Sequence, residues 1–163
     1  MIKFETQNVM QIWVPGRAFA QTRARHTKNG VYSSASKGLK KWRSDLIREI
    51  SAAMNVLRIG KLEGAVCVDM VFMIPIREVA RWGMVCHTKP DKDNLEKAVL
   101  DCMEQAGVFA VGDSQVGVGQ TVKMWCQPGQ EGARIEISMV RVHSGPETDK
   151  APHGALNGLD WLA

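Results

Sequence analysis

Between Lys89 and Gln115 the chain runs KPDKDNLEKAVLDCMEQAGVFAVGDSQ. Asp91 and Asp93 stand two apart where a helix should begin after Pro90. Lys97 follows Asp93 by four residues, so both project from one helical face. Asp113 returns after the helix, at the entrance to the next strand. A hard cation such as Mg²⁺ takes oxygen ligands, commonly one or two carboxylates with waters and substrate phosphate. A fixed ammonium beside it suits the charge that builds on a phosphate under attack. The pattern therefore fits a metal-dependent phosphodiesterase site, with Asp91, Asp93 and Asp113 as ligands and Lys97 next to them. It also fits a plain solvated helix. Asp93, Lys97 and Asp101 form an i, i+4, i+8 ladder of the kind that decorates exposed faces, and aspartates suit a helix N-terminus in any case. Both readings stand on spacing alone. An EF-hand does not: Leu95 sits at a ligand position, Glu96 replaces the turn glycine, and Cys102 stands where the bidentate glutamate belongs.

The elements that must position these residues follow from periodicity. Asp93 with Glu96 has capping-box spacing. Leu95, Ala98, Val99, Cys102, Met103 and Ala106 give this helix its buried stripe, and Gly107 is its stop signal. An earlier helix is expected from Ser36, as N-cap, to Leu57, with Leu39, Trp42, Leu46, Ile50 and Ala53 inward and Gly60 ending the segment. Trp42 belongs to the core. Strands are expected at 8–14, at 64–76 as an apolar run ended by Pro75, at 115–126 with two glycines marking a bulge, and at 133–141 as the antiparallel partner of 115–126. Asn29-Gly30 is a candidate tight turn inside the long loop 16–38, with a short strand at Val31-Tyr32 beyond it.

The charge is unevenly distributed. From Arg17 to Arg48 there are nine Lys or Arg against Asp45 alone, a segment charge of +8 in a chain of net +4. Such asymmetry points to a polyanionic partner. Arg17, Arg23, Arg25, Lys28 and Lys37 are candidate backbone contacts, with Lys89 a further one nearer the aspartates. No window approaches the roughly 18–20 apolar residues of a membrane span, and MIKFETQNVM lacks the apolar stretch of a signal peptide. A cytoplasmic protein is expected. Cys67, Cys86, Cys102 and Cys126 are scattered, which suits free thiols. Cys86-His87 has no second pair at zinc spacing. Residues 1–142 should form one domain, and 143–163, with no periodicity, a disordered tail.

PDKDNLEKAVLD, a glycine and then DSQV together resemble the RusA family of crossover-junction endodeoxyribonucleases, Holliday junction resolvases of phages and prophages. That family's pattern is PDxDNLxKxxxDAL followed by DD(S/A)QV. VPGRAFAQTRAR resembles its opening, and a basic loop, Tyr32 and a helix follow in the same order. The resemblance covers about residues 10–140. It implies an α/β (α+β) domain, a small mixed sheet of about four strands packed against two main helices, working as a homodimer. It implies Mg²⁺, with Mn²⁺ as a possible substitute, and no small-molecule cofactor. Carried over, Asp91, Asp93 and Asp113 are the metal carboxylates and Lys97 the catalytic lysine. Asp101, paired with Lys97, and Asn94 are supporting residues. The implied substrate is four-way junction DNA, cut by paired symmetric nicks that leave 5′-phosphate and 3′-hydroxyl ends. One departure stands out. Where the family usually has two adjacent aspartates, this chain has Gly112-Asp113, after a span one residue longer. A non-cleaving branched-DNA binder and a less specific structure-selective nuclease are the alternative functions.

Overall fold

The fold is given by a computed structural model that describes residues 3–21, 25–27, 30–32 and 36–143. Strand β1 (Lys3–Pro15) opens the chain. Met10, Ile12 and Val14 are buried and Gln11 and Trp13 are not, which is the alternation expected of a strand with one face on a core. The strand is longer than the 8–14 run, because Phe4 to Asn8 pair with a neighbour while their side chains stay exposed. Exposed pairing leaves no hydrophobic period to read. A register shift between Asn8 and Met10 separates the two halves.

A small ribbon, β2 (Arg25–Thr27) and β3 (Gly30–Tyr32), follows, with Thr27 opposite Gly30. The candidate turn at Asn29-Gly30 therefore falls partly outside the described residues. So do Arg23, Lys28 and the expected tail beyond His143. Helix α1 (Lys37–Leu57) starts as expected: the Ser36 hydroxyl accepts from the Leu39 N–H at 3.2 Å. It ends at Leu57, as expected, and Arg58 caps it: its left-handed backbone (φ 54°) turns the N–H back to Asn55 O. Leu39, Trp42, Leu46 and Ile50 form its buried stripe, and Trp42 tilts against Phe72 with ring centroids 6.3 Å apart.

β4 (Val66–Pro75) is the centre of the main sheet. Helix α2 (Lys92–Gln105) buries Leu95, Ala98, Val99, Cys102 and Met103. It begins with Asp91 as N-cap rather than with the expected Asp93–Glu96 box: Leu95 N–H already donates to Asp91 O, and Asp93 lies inside the first turn. A 3-10 turn, Asp113–Gln115, leads into β5 (Val116–Val118), then β6 (Thr121–Cys126) and β7 (Gly132–His143). β7 is antiparallel to both β1 and β4, while β5 and β6 run parallel to β4 on its other side. The result is a five-stranded mixed sheet with two helices, close to the small mixed α/β domain expected but with one more strand.

Two expectations are corrected here. Residues 115–126 are two short strands, not one bulged strand. β7 is not the partner of β6, because β4 occupies the place between them. The turn at Pro128-Gly129 carries the chain past the end of β4 instead of closing a hairpin. The break between β5 and β6 has a steric cause. A Cβ on Gly119 would lie 2.2 Å from the Val68 carbonyl oxygen, so the chain passes this point only as glycine. Gly117, two residues earlier, has open space around it. Gly119→Ala should lower stability by about 2 kcal/mol or more, because backbone must move. Gly117→Ala should change it by less than about 0.5 kcal/mol. Urea unfolding midpoints of the two variants check this contrast; equal midpoints would contradict it.

Candidate active site

The candidate site is assembled from three segments. The first is the stretch 86–91 between β4 and α2, which ends in a cis Lys89–Pro90 bond and then Asp91. The second is the first three turns of α2, which carry Asp93, Asn94, Lys97 and Asp101. The third is the 3-10 turn at Asp113. Asp91 and Asp93 are exposed at the positive end of the helix. The Asp91 side chain caps no backbone N–H of α2; it accepts a long 3.4 Å contact from Asn94 Nδ2. Asn94 also ties the helix to the segment after β1, since its carbonyl accepts from Gln21 N–H at 2.8 Å.

Lys97 joins the second and third segments. Its Nζ lies 2.8 Å from Asp101 Oδ1 and 2.9 Å from Asp113 Oδ2. Asp101 thus pairs with Lys97 as expected. The hydrogen bonds to Asp101 and then Asp113 push the lysine's pKa well above its ordinary value, against a smaller opposing effect of burial. Lys97 is therefore an ammonium at any physiological pH. Two side chains outside the expected set hold the surrounding backbone. Lys123 of β6 reaches the carbonyls before Asp91, and Gln115 spans the loop around Asp113. Lys123 carried only a strand-alternation signal, and Gln115 has no charge to single it out. Only its place in the DSQV segment, which resembles the family pattern, marked Gln115.

The basic candidates divide. Arg17 and Lys89 line one cleft of about 320 Å³ with Asp91, so two cations flank the first carboxylate. The Arg17 guanidinium sits 5.8 Å from the Phe19 ring centroid, a cation–π contact that steadies it. Lys37 is exposed at the start of α1. Arg25 lies in β2, with only its backbone described. Arg23 and Lys28 fall outside the described residues.

The sequence model of a family described as endodeoxyribonuclease RusA matches residues 15–139. The chain belongs to the RusA endodeoxyribonuclease family. No individual curated protein matches it. As a RusA-family protein it is a Holliday junction endodeoxyribonuclease acting on branched DNA, and the nucleases of this family are generally metal-dependent. The donor chemistry of Asp91, Asp93 and Asp113 suits a hard divalent cation, all three being carboxylates. Their side chains are not gathered in advance: among the described residues, no three His, Cys, Asp or Glu groups stand close enough to hold one ion. The four cysteines are buried and free, and burial pushes the thiols of Cys67, Cys102 and Cys126 up, as in inert core positions. No described helix is long and apolar enough to cross a membrane.

The raised Lys97 pKa has a definite sign. The lysine's ion pairs add stability that is fully present below the ordinary lysine value of about 10.4 and is lost as pH climbs through the higher folded value. Lys97 is half-exposed, so this contribution stays below about 1 kcal/mol. Lys97→Met should cost that small amount at neutral pH, with the cost vanishing only in strong alkali. Unfolding curves of the two proteins at neutral pH and at increasing alkaline pH measure it. A gap that closes below about pH 9 would show that Lys97 is not held in its charged form.

Proposed function

We propose that Asp91, Asp93 and Asp113 bind a divalent cation, Mg²⁺ with Mn²⁺ as a substitute, and that Lys97 is the catalytic lysine of junction cleavage. The observation that supports this reading is the 2.9 Å contact between Lys97 Nζ and Asp113 Oδ2. It ties a carboxylate from beyond α2 to the same helix that opens with Asp91 and Asp93. When bound, a divalent cation neutralises phosphate charge and makes water a better nucleophile. The protein's own groups do the rest. Arg17 and Lys89, flanking Asp91, hold the backbone of the strand to be cut. Lys97, already charged, stabilises the negative charge that develops on the phosphoryl oxygens. Asp101 keeps that ammonium aimed along the helix when Asp113 turns toward the cation.

Water adds to phosphorus, the bond from phosphorus to the 3′ oxygen breaks, and the proton lost by water balances the one gained by the leaving oxygen. The products are a 5′-phosphate and a 3′-hydroxyl. A four-way junction has two strands of like polarity to cut. A two-fold pair of chains presents two such sites symmetrically, and the exposed apolar side chains of Val79, Met84 and Val85 offer surface for that pairing.

Incubation with a synthetic four-way junction and Mg²⁺ or Mn²⁺ should give paired symmetric nicks bearing 5′-phosphates. Asp93→Asn should lower the rate by about 100-fold or more, with junction affinity within about threefold. Undiminished cleavage by that variant rejects the site. Lys97→Ala should also lower the rate and spare affinity. If affinity collapses instead, Lys97 is a backbone contact. Junction binding should weaken steeply with salt, and removing Arg17 or Lys89 should lower the logarithmic salt slope by about 1 each.

A further inference from the structure

We infer that Lys123 and Gln115 are positioning residues that set the distance between the two backbone arms carrying the acidic groups, and so set the affinity of the site for its divalent cation. The inference rests on the assignment of Asp91, Asp93 and Asp113 as ligands. Lys123 projects from β6 and donates to Thr88 O at 2.5 Å and Pro90 O at 2.7 Å. Pro90 O belongs to the peptide whose nitrogen is that of Asp91. Lys123 therefore fixes the residue before the first carboxylate to the sheet.

Gln115 acts on the other arm. Its Oε1 accepts from Val111 N–H at 2.7 Å, and its Nε2 donates to Leu62 O at 2.9 Å and Gly64 O at 2.8 Å. Those bonds bracket Asp113 and tie its loop to the strand-like segment ahead of β4. β4 and β6 are bonded in register from Met70 to Pro75, with Lys123 opposite Phe72. Both arms are thus tied by neutral backbone acceptors, one to β6 and the other to the segment that leads into β4. Groups that orient ligands in this way typically change metal affinity or activity by about 10–100-fold when removed.

Mn²⁺ binding to the protein alone, followed by the loss of its free-ion paramagnetic resonance signal, tests this. Lys123→Met and Gln115→Leu should each weaken Mn²⁺ binding, and raise the Mg²⁺ concentration for half-maximal junction cleavage, by about 10–100-fold. Junction affinity without divalent metal should hold. Lys123→Arg, which retains donors to the same carbonyls, should recover Mn²⁺ binding to within about threefold of the parent. Unchanged Mn²⁺ affinity in both variants overturns the inference, as does a parallel loss of junction affinity, which would make these side chains DNA contacts. If either substitution unfolds the protein, Lys123→Arg and Gln115→Glu decide: Arg should bind Mn²⁺ normally, and Glu, which loses the two donations, should not. Asp93→Asn is measured alongside. If it binds Mn²⁺ normally, the ligand assignment itself fails. If it alone loses Mn²⁺, only the positioning role fails.

Discussion

A long apolar strand left at the edge of a sheet offers its unpaired backbone to other chains, and covering both edges of β4 directs the path of this chain. β4 reads VCVDMVFMIP, with Val66, Val68, Met70, Phe72 and Ile74 all buried. It must be flanked on both sides. β7 covers one side antiparallel, and β5 and β6 cover the other in parallel. A parallel neighbour cannot be reached by a tight turn; the chain must return to the start of β4 before it can pair. α2 is the returning element, and its stripe of Leu95, Ala98, Val99, Cys102 and Met103 joins the core. The N-terminus of α2 therefore lies beyond the carboxyl end of β4. There Ile74 and Pro75 share a cleft with Arg17 and Lys89, the place where α/β sheets generally bind ligands.

The site combines a stiff frame with loose charges. Lys97 serves two carboxylates, and exposed pairs of this sort contribute less than about 1 kcal/mol each. On the proposed assignment such contacts would exchange readily for a cation and a phosphate, since little would be lost if Asp113 changed partner. The bonds from Lys123 and Gln115 to backbone carbonyls are of a different kind. They hold chain segments rather than reactive groups, and their acceptors have no role to leave for. Backbone held in this way would suit the proposed centre, which has to admit an ion and a DNA strand in turn.

The sequence displayed the helices well. The three- and four-residue spacing of Leu39, Trp42, Leu46 and Ile50 is the spacing of a buried stripe, and Ser36 caps where its hydroxyl can reach an N–H. The Lys97–Asp101 pair was legible from its i, i+4 spacing. Strand pairing was not. β7 alternates as cleanly for one neighbour as for another, and only the demand of β4 for partners on both sides selects β1 and β4 over β6. The first half of β1 was hidden because its residues pair through backbone while Phe4, Thr6 and Asn8 stay exposed. Lys123 was hidden for a related reason: its acceptors are backbone carbonyls, and any residue type supplies one.

Gly112 bears on the one departure from the family pattern. Its backbone, φ 134° and ψ −174°, belongs to a region that side-chain-bearing residues essentially do not occupy. A Cβ there would lie 3.3 Å from Glu104 Oε1, and an aspartate would add its charge beside that carboxylate. Both strain and repulsion thus oppose an acidic residue at 112 in this loop. The glycine lets the chain come round, and Gln115 N–H donating to Gly112 O at 3.1 Å closes the turn that follows. The turn delivers Asp113 to Lys97. On this geometry an acidic residue at 112 is disfavoured, and Asp113 is the carboxylate that reaches the helix.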